Sequence, residues 1–151
     1  MKEESGRSLI EIVGVLAIGT IMIAAAYSIY RSIDNRQKRL IASETIKETA
    51  QNIKTMYEFV NPPYVTANIT PAQLVADGAL AKADTPIGTG WSIAGYNSNT
   101  QFKIKIEGLS YDDCNYFAVK KADWADKILV NGSEDGNCNN NNSNIIEFIA
   151  H

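Results

Sequence analysis

A single carboxylate, that of Glu11, stands at the start of a long uncharged segment. Residues 12–30 are nineteen residues without a charged side chain, and at about 1.5 Å per residue they form a helix of roughly 28 Å, close to the thickness of a hydrocarbon core. Placing a Glu in such a segment costs roughly 2.5 to 3.5 kcal/mol. We therefore expect Glu11 to need a partner of opposite charge.

Other residues with chemical reactivity are sparse. The chain has one histidine, His151, and no Ser/His/Asp triad, Cys/His pair, Gly-rich phosphate loop or set of metal ligands can be assembled from its sequence. The acidic and Asn-rich residues 134–142 offer oxygen ligands for calcium, but their spacing fits no EF-hand and also suits a simple turn. We expect neither an enzyme nor a bound cofactor or metal.

The apolar segment is longer than a secretory signal. Such a signal has an apolar run of about 7 to 15 residues followed by a small-residue cleavage site, whereas here the nineteen-residue run continues into further helical sequence. Removal of the whole segment is therefore not expected. A net charge of −3 over 151 residues also argues against a generic nucleic-acid binder.

The residues around Glu11 resemble the N-terminal signal of type IV pilins and pseudopilins. Gly6 is followed by Arg7-Ser-Leu-Ile-Glu11 and then by the apolar segment. The resemblance implies that a prepilin peptidase removes the leader, residues 1–6, by cutting between Gly6 and Arg7, and that the new amine of Arg7 is methylated. It also implies that Glu11 pairs with that amine on a neighbouring subunit during assembly.

Three features depart from the family pattern. Arg7 stands where most members carry Phe, Met or Leu, and no proline precedes Pro62. In addition, two basic residues precede the apolar segment and four follow it, which by the positive-inside rule places the C-terminal part in the cytoplasm, against the family topology. The four that follow, expected to flank a membrane surface, are Arg31, Arg36, Lys38 and Arg39.

The helical pattern continues beyond the apolar segment. Apolar residues recur about every seven positions, at Ile33, Leu40, Ile46, Ile53 and Val60. This pattern predicts one helix from Arg7 to about Phe59, with an apolar first half at residues 7–30 and an amphipathic second half at residues 31–60. Asn61-Pro62-Pro63 is expected to end it.

The remaining residues, 61–151, predict a small mixed domain. A short helix is expected at residues 71–77 with Thr70 as its N-cap, a hairpin from strands at 91–94 and 101–107, a helix at 111–124, and strands at 127–130 and 144–150. About ninety residues need the long helix to complete a core. The predicted class is α+β, a long helix packed on an antiparallel sheet, as in the pilin fold.

Both cysteines, Cys114 and Cys138, lie in this C-terminal region. A bridge between them would close a 25-residue loop in an oxidising compartment, and the alternative is two buried thiols in a cytosolic domain. In pilins such a bridge bounds an exposed segment. Residues 71–80, Gly88-Thr-Gly-Trp91 and Cys114 in a short helix are similar to type IVb pilins.

The resemblance implies a structural role. The expected function is that of a major pilin of the type IVb kind, which moves from the bacterial inner membrane into an extracellular homopolymer. A prepilin peptidase, an inner-membrane platform protein, an assembly ATPase and a secretin are the partners that the resemblance implies. One alternative is a minor pilin or a type II secretion pseudopilin. The other is an uncleaved, single-pass anchored binding domain.

Overall fold

The structure, a computed structural model, describes the backbone of residues 3–120 and 122–151 and the side chains of residues 8–120 and 122–151. Residues 1 and 2 of the predicted leader, and the side chains up to Arg7, lie outside this described part, so cleavage and methylation remain predictions. The chain divides into two compact units, one ending at Lys38 and one spanning Arg39–His151. The order of elements is α1 (Glu3–Tyr57), α2 (Pro71–Ala76), β1 (Gly90–Tyr96), β2 (Gln101–Leu109), α3 (Tyr111–Val119), β3 (Lys127–Val130) and β4 (Asn144–Ala150).

The four strands form one antiparallel sheet in the order β1-β2-β4-β3. Alternation along β2 sends Phe102, Ile104 and Ile106 to one face, and Ile104 pairs with Phe148 of β4. The register shifts between Ile106 and Leu109, where Gly108 adopts a positive φ of 69°. The predicted α+β class is therefore confirmed, with every predicted strand present.

The core of the second unit lies between the sheet and the part of α1 that belongs to this unit. Ala42, Ile46, Ala50 and Ile53 are almost fully buried, and their spacing of three or four residues defines one helix face. Leu40 and Val60 of the predicted stripe are instead substantially exposed. Leu40 precedes Ile46 by six residues, which at 3.6 residues per turn places it about 120° around the helix from the buried face, and Val60 lies beyond the end of α1 at Tyr57.

The short elements follow local capping rules. Thr70 caps α2 by accepting a hydrogen bond from the Gln73 amide at 3.3 Å, as predicted, and Gly78 follows with φ +76°. Helix α3 ends at Val119, not at residue 124, because Lys120 adopts an extended backbone with ψ 102°. Trp124 lies beyond the helix, with its ring 5.2 Å from that of Phe148.

Candidate functional site

The first unit presents an apolar surface to its surroundings. Along α1 the large apolar side chains from Leu9 to Ile33 are between 50% and 76% exposed. By length and composition, α1 is the one helix among the described residues that could cross a membrane. A contiguous apolar surface of this size is typical of sites that contact a membrane or another protein chain, and it is compatible with membrane anchoring.

Glu11 lies on this exposed part of α1. Its side chain is exposed, and the next acidic residue along the chain is Asp34. Asp34 pairs with Lys38 at 2.6 Å, one helical turn away, within the basic flank. Residues 12–33, 22 residues in all, separate Glu11 from Asp34. Arg31 is the one charged residue among them.

Two glycines leave gaps along the same helix. A Cβ atom added to Gly14 or Gly19 would meet no other atom within 4 Å, so nothing in this copy requires glycine at either position. Small residues on an apolar helix allow a second helix to approach closely. These positions are compatible with packing against another chain.

Arg39 opens the second unit and does not behave as a solvated flank residue. Its Nε donates to Asp113 Oδ1 at 2.6 Å, with both side chains about one-fifth exposed. Asp113 also accepts a hydrogen bond from the Ser110 hydroxyl at 2.6 Å, and its amide donates to the same hydroxyl at 3.2 Å. The N-terminus of α3 is thereby tied to α1. The Ser110 to Asp113 spacing signals this cap in the sequence, but the arginine partner, 74 residues away, does not.

The disulfide joins Cys114 of α3 to Cys138 in the connection between β3 and β4, with Cα atoms 5.8 Å apart. This agrees with the disulfide-bounded C-terminal region expected from the resemblance. The buried Asn144 holds the same connection. Its amide nitrogen, which carries two hydrogens, lies 2.9 to 3.2 Å from the carbonyl oxygens of Leu109, Asn139 and Asn141, and its carbonyl oxygen accepts from the Asn139 amide at 2.6 Å. The role of Asn144 has no signal in the sequence, because Asn144 is one of many asparagines there.

The acidic loop considered for calcium uses one carboxylate in an ion pair. Glu134 lies 2.7 Å from Lys127 Nζ on β3, and the nearby carboxylate raises the pKa of Lys127. Within residues 3–120 and 122–151, no cluster of three or more His, Cys, Asp or Glu residues has the geometry of a metal site. The side-chain amide of Asn144 forms hydrogen bonds with the backbone of this loop.

Comparison with known proteins adds no relative: no protein-family model matches the chain, and no curated protein does either. The class of protein therefore has to be judged from the architecture. A long apolar N-terminal helix, a small antiparallel sheet and a disulfide are compatible with a pilin-like fold.

Proposed function

We propose that this protein is a type IV pilin, the repeating subunit of a helical filament on a bacterial surface. The observation that carries the proposal is the exposed apolar part of α1, which begins at the single carboxylate of Glu11. The buried core of the other unit uses residues from Ala42 onward. The apolar segment therefore does not contribute to this buried core, and its side chains remain available to contact other molecules.

The physics of transfer supports assembly through this segment. In a bilayer the apolar side chains contact lipid, and in a filament they contact the same segments of neighbouring subunits. Helices associate in such surroundings through close packing and polar pairs, since apolar contact alone gives little preference over lipid. A specific polar contact can supply that preference, and Glu11 is the carboxylate within the segment that can make it.

In the proposed filament, Glu11 pairs with the methylated amine of Arg7 on the adjacent subunit after cleavage behind Gly6. The pair neutralises two charges in a dry interior and sets the axial register of the subunits. Removing one partner of a buried pair typically costs about 3 to 5 kcal/mol, because the other charge is stranded. Each subunit would donate one such partner and accept another, which generates an open fibre.

This subunit then needs no catalytic residue of its own. Prepilin peptidase would process it in the inner membrane, and a platform protein, an assembly ATPase and a secretin would drive its export. The type IVb kind is proposed for the major subunit on the basis of the resemblance and the disulfide region. Adhesion, motility, DNA uptake and secretion are all compatible with such a filament.

One observation favours a second candidate, an uncleaved single-pass domain that binds a partner. Arg31, Arg36 and Lys38 are exposed directly after the apolar segment, as in proteins whose C-terminal domain faces the cytoplasm. That candidate predicts a retained leader, no polymer and reduced cysteines.

Filament assembly by the Glu11→Ala variant tests the proposal, with Glu48→Ala, an exposed carboxylate in the second unit, as the matched control. We expect both variants to be processed and to accumulate in the membrane. Glu11→Ala should lower filament yield at least about tenfold, given the 3 to 5 kcal/mol above, whereas Glu48→Ala should not change it. Abundant normal filaments from Glu11→Ala would refute the pairing. Wild-type protein recovered as a trace component of filaments would instead indicate a minor pilin or pseudopilin.

A further inference from the structure

The second unit carries an apolar groove of about 460 Å³ that the proposed function does not use. Aromatic rings of Phe117, Trp124 and Phe148 line it, together with Leu40 of α1. Leu40 is 56% exposed although it belongs to a helix that packs on the sheet. A cavity of about 150 Å³ already accepts benzene, so this groove has room for an aromatic side chain.

The rim of the groove contains both signs of charge, with Glu44 and Asp123 beside Lys47 and Lys120. Lys120 Nζ contacts two neutral hydroxyls, Ser43 Oγ at 3.2 Å and Tyr116 Oη at 3.0 Å. Among the described residues no carboxylate lies within ion-pair distance of this ammonium group. The rim can therefore accept a carboxylate at Lys120 when an apolar group fills the groove.

A complementary surface lies just beyond the C-terminal end of α1. Phe59 is 91% exposed, the highest value of any large apolar side chain among the described residues. Glu58, its neighbour, is also exposed, and Val60 adds further apolar area. This tip, defined as residues 58–60, places one aromatic ring next to one carboxylate.

We propose that the tip of one copy docks into the groove of a second copy, with Phe59 among the aromatic rings and Glu58 against Lys120. About ten residues of helix, or roughly 15 Å, separate Lys47 at the groove from the end of α1. Tip and groove are thus different surfaces of one molecule, and a contact between them is heterologous, the type that forms an open fibre when its rotation does not close a ring. The inference builds on the proposed function because it names a second contact, between globular parts, for the same homopolymer.

Photo-crosslinking in the native host tests this contact. The full chain carries p-benzoylphenylalanine at position 59 and is co-expressed with an epitope-tagged second copy, so that only contacts between copies are scored. We expect cross-links to tagged peptides that contain residues 40–47 or 117–124. The same probe at Tyr111, which is 45% exposed and aromatic, is the control and should not label these peptides.

A charge exchange provides an independent variant that leaves the apolar contact in place. Glu58→Lys in the probe copy should lower the cross-link yield about 1.4- to fivefold, the range of an exposed ion pair, and Lys120→Glu in the tagged copy should restore it. Counting filaments on the same cells separates the two proposals. Filaments without cross-links to the groove, or a yield equal to that of the Tyr111 probe, would overturn the docking contact and leave the pilin proposal standing. Cross-links to the groove without filaments would support docking and count against the pilin proposal.

Discussion

Replacing both cysteines with alanine should destabilise the second unit by an amount set by the loop that the disulfide closes. Cys114 and Cys138 are 24 positions apart, which gives a closed loop of 25 residues. Loop-closure entropy for that length is about 3.5 kcal/mol at 25 °C. The free energy of unfolding of a small domain is about 5 to 15 kcal/mol, so removing the disulfide should take away a substantial part of it.

Denaturant unfolding of the full chain in detergent measures this change. The two tryptophans of the chain, Trp91 and Trp124, both lie in the second unit and pack against its core, so their fluorescence reports that unit. The denaturant concentration at the midpoint of unfolding should be lower for the Cys114→Ala/Cys138→Ala variant than for wild type. The slope m should rise, because the unfolded chain without the cross-link exposes more surface.

Two controls accompany this measurement, one that should reproduce the loss of stability and one that should not. Wild-type protein unfolded in the presence of a reductant should coincide with the double variant. Asn140→Ala, an exposed change in the same loop, should stay within about 0.5 kcal/mol of wild type. A double variant as stable as oxidised wild type would show that the disulfide does not constrain the unfolded chain, and the loop-entropy reasoning would be wrong.

Three further predictions use the same unfolding assay or a titration. Ile53→Ala should lower the free energy of unfolding by about 2 to 5 kcal/mol, because the side chain of Ile53 is fully buried. Ile41 is exposed on the same helix, so Ile41→Ala should lower it by less than about 0.5 kcal/mol. Gly88→Ala should lower the free energy of unfolding by at least about 1 kcal/mol more than Gly78→Ala does. Both glycines have a positive φ, but only at Gly88 would the new Cβ atom lie 2.3 Å from a backbone oxygen. Burial, followed by the hydrogen bond to a carboxylate, raises the pKa of Tyr57 to about 12, so a late phase of tyrosinate absorbance should diminish in Tyr57→Phe.

The sign of the Tyr57 effect is fixed by the direction of its pKa shift. The folded state holds the phenol proton more tightly than the unfolded state, so the contribution to stability is complete below about pH 10 and is lost as the pH rises through about 12. An unchanged late phase in Tyr57→Phe would contradict this.

Equal losses of stability for the two glycine variants would show that the chain relieves the clash at Gly88. Equal losses for the two isoleucine variants would contradict the assignment of the buried helix face.

Local rules predicted much of the fold. Strands 127–130 and 144–150 were predicted with the observed bounds because each is a short apolar run flanked by turn residues. The cap of α2 followed from Thr70 and Pro71 in the same way. The end of α3 was predicted five residues too late, because no glycine or proline in residues 120–124 signals the extended backbone at Lys120.

The parts that sequence could not supply depend on contacts between distant residues. Arg39 appeared to be one of several flank cations, and only the position of α3 brings Asp113 to it. Asn144 could not be distinguished from its neighbours before the strand register placed it in the core. The roles of Gly6, Arg7 and Glu11 come from the resemblance and remain predictions.

Intact-mass spectrometry of the protein from the native membrane or cell-surface fraction, with and without a reductant, tests the pilin proposal most directly. The proposal predicts a mass that lacks residues 1–6, carries one added methyl group and is two hydrogens lighter before reduction because of the Cys114–Cys138 disulfide. A full-length mass with two reduced cysteines would contradict it and would identify an uncleaved anchored domain that faces the cytoplasm.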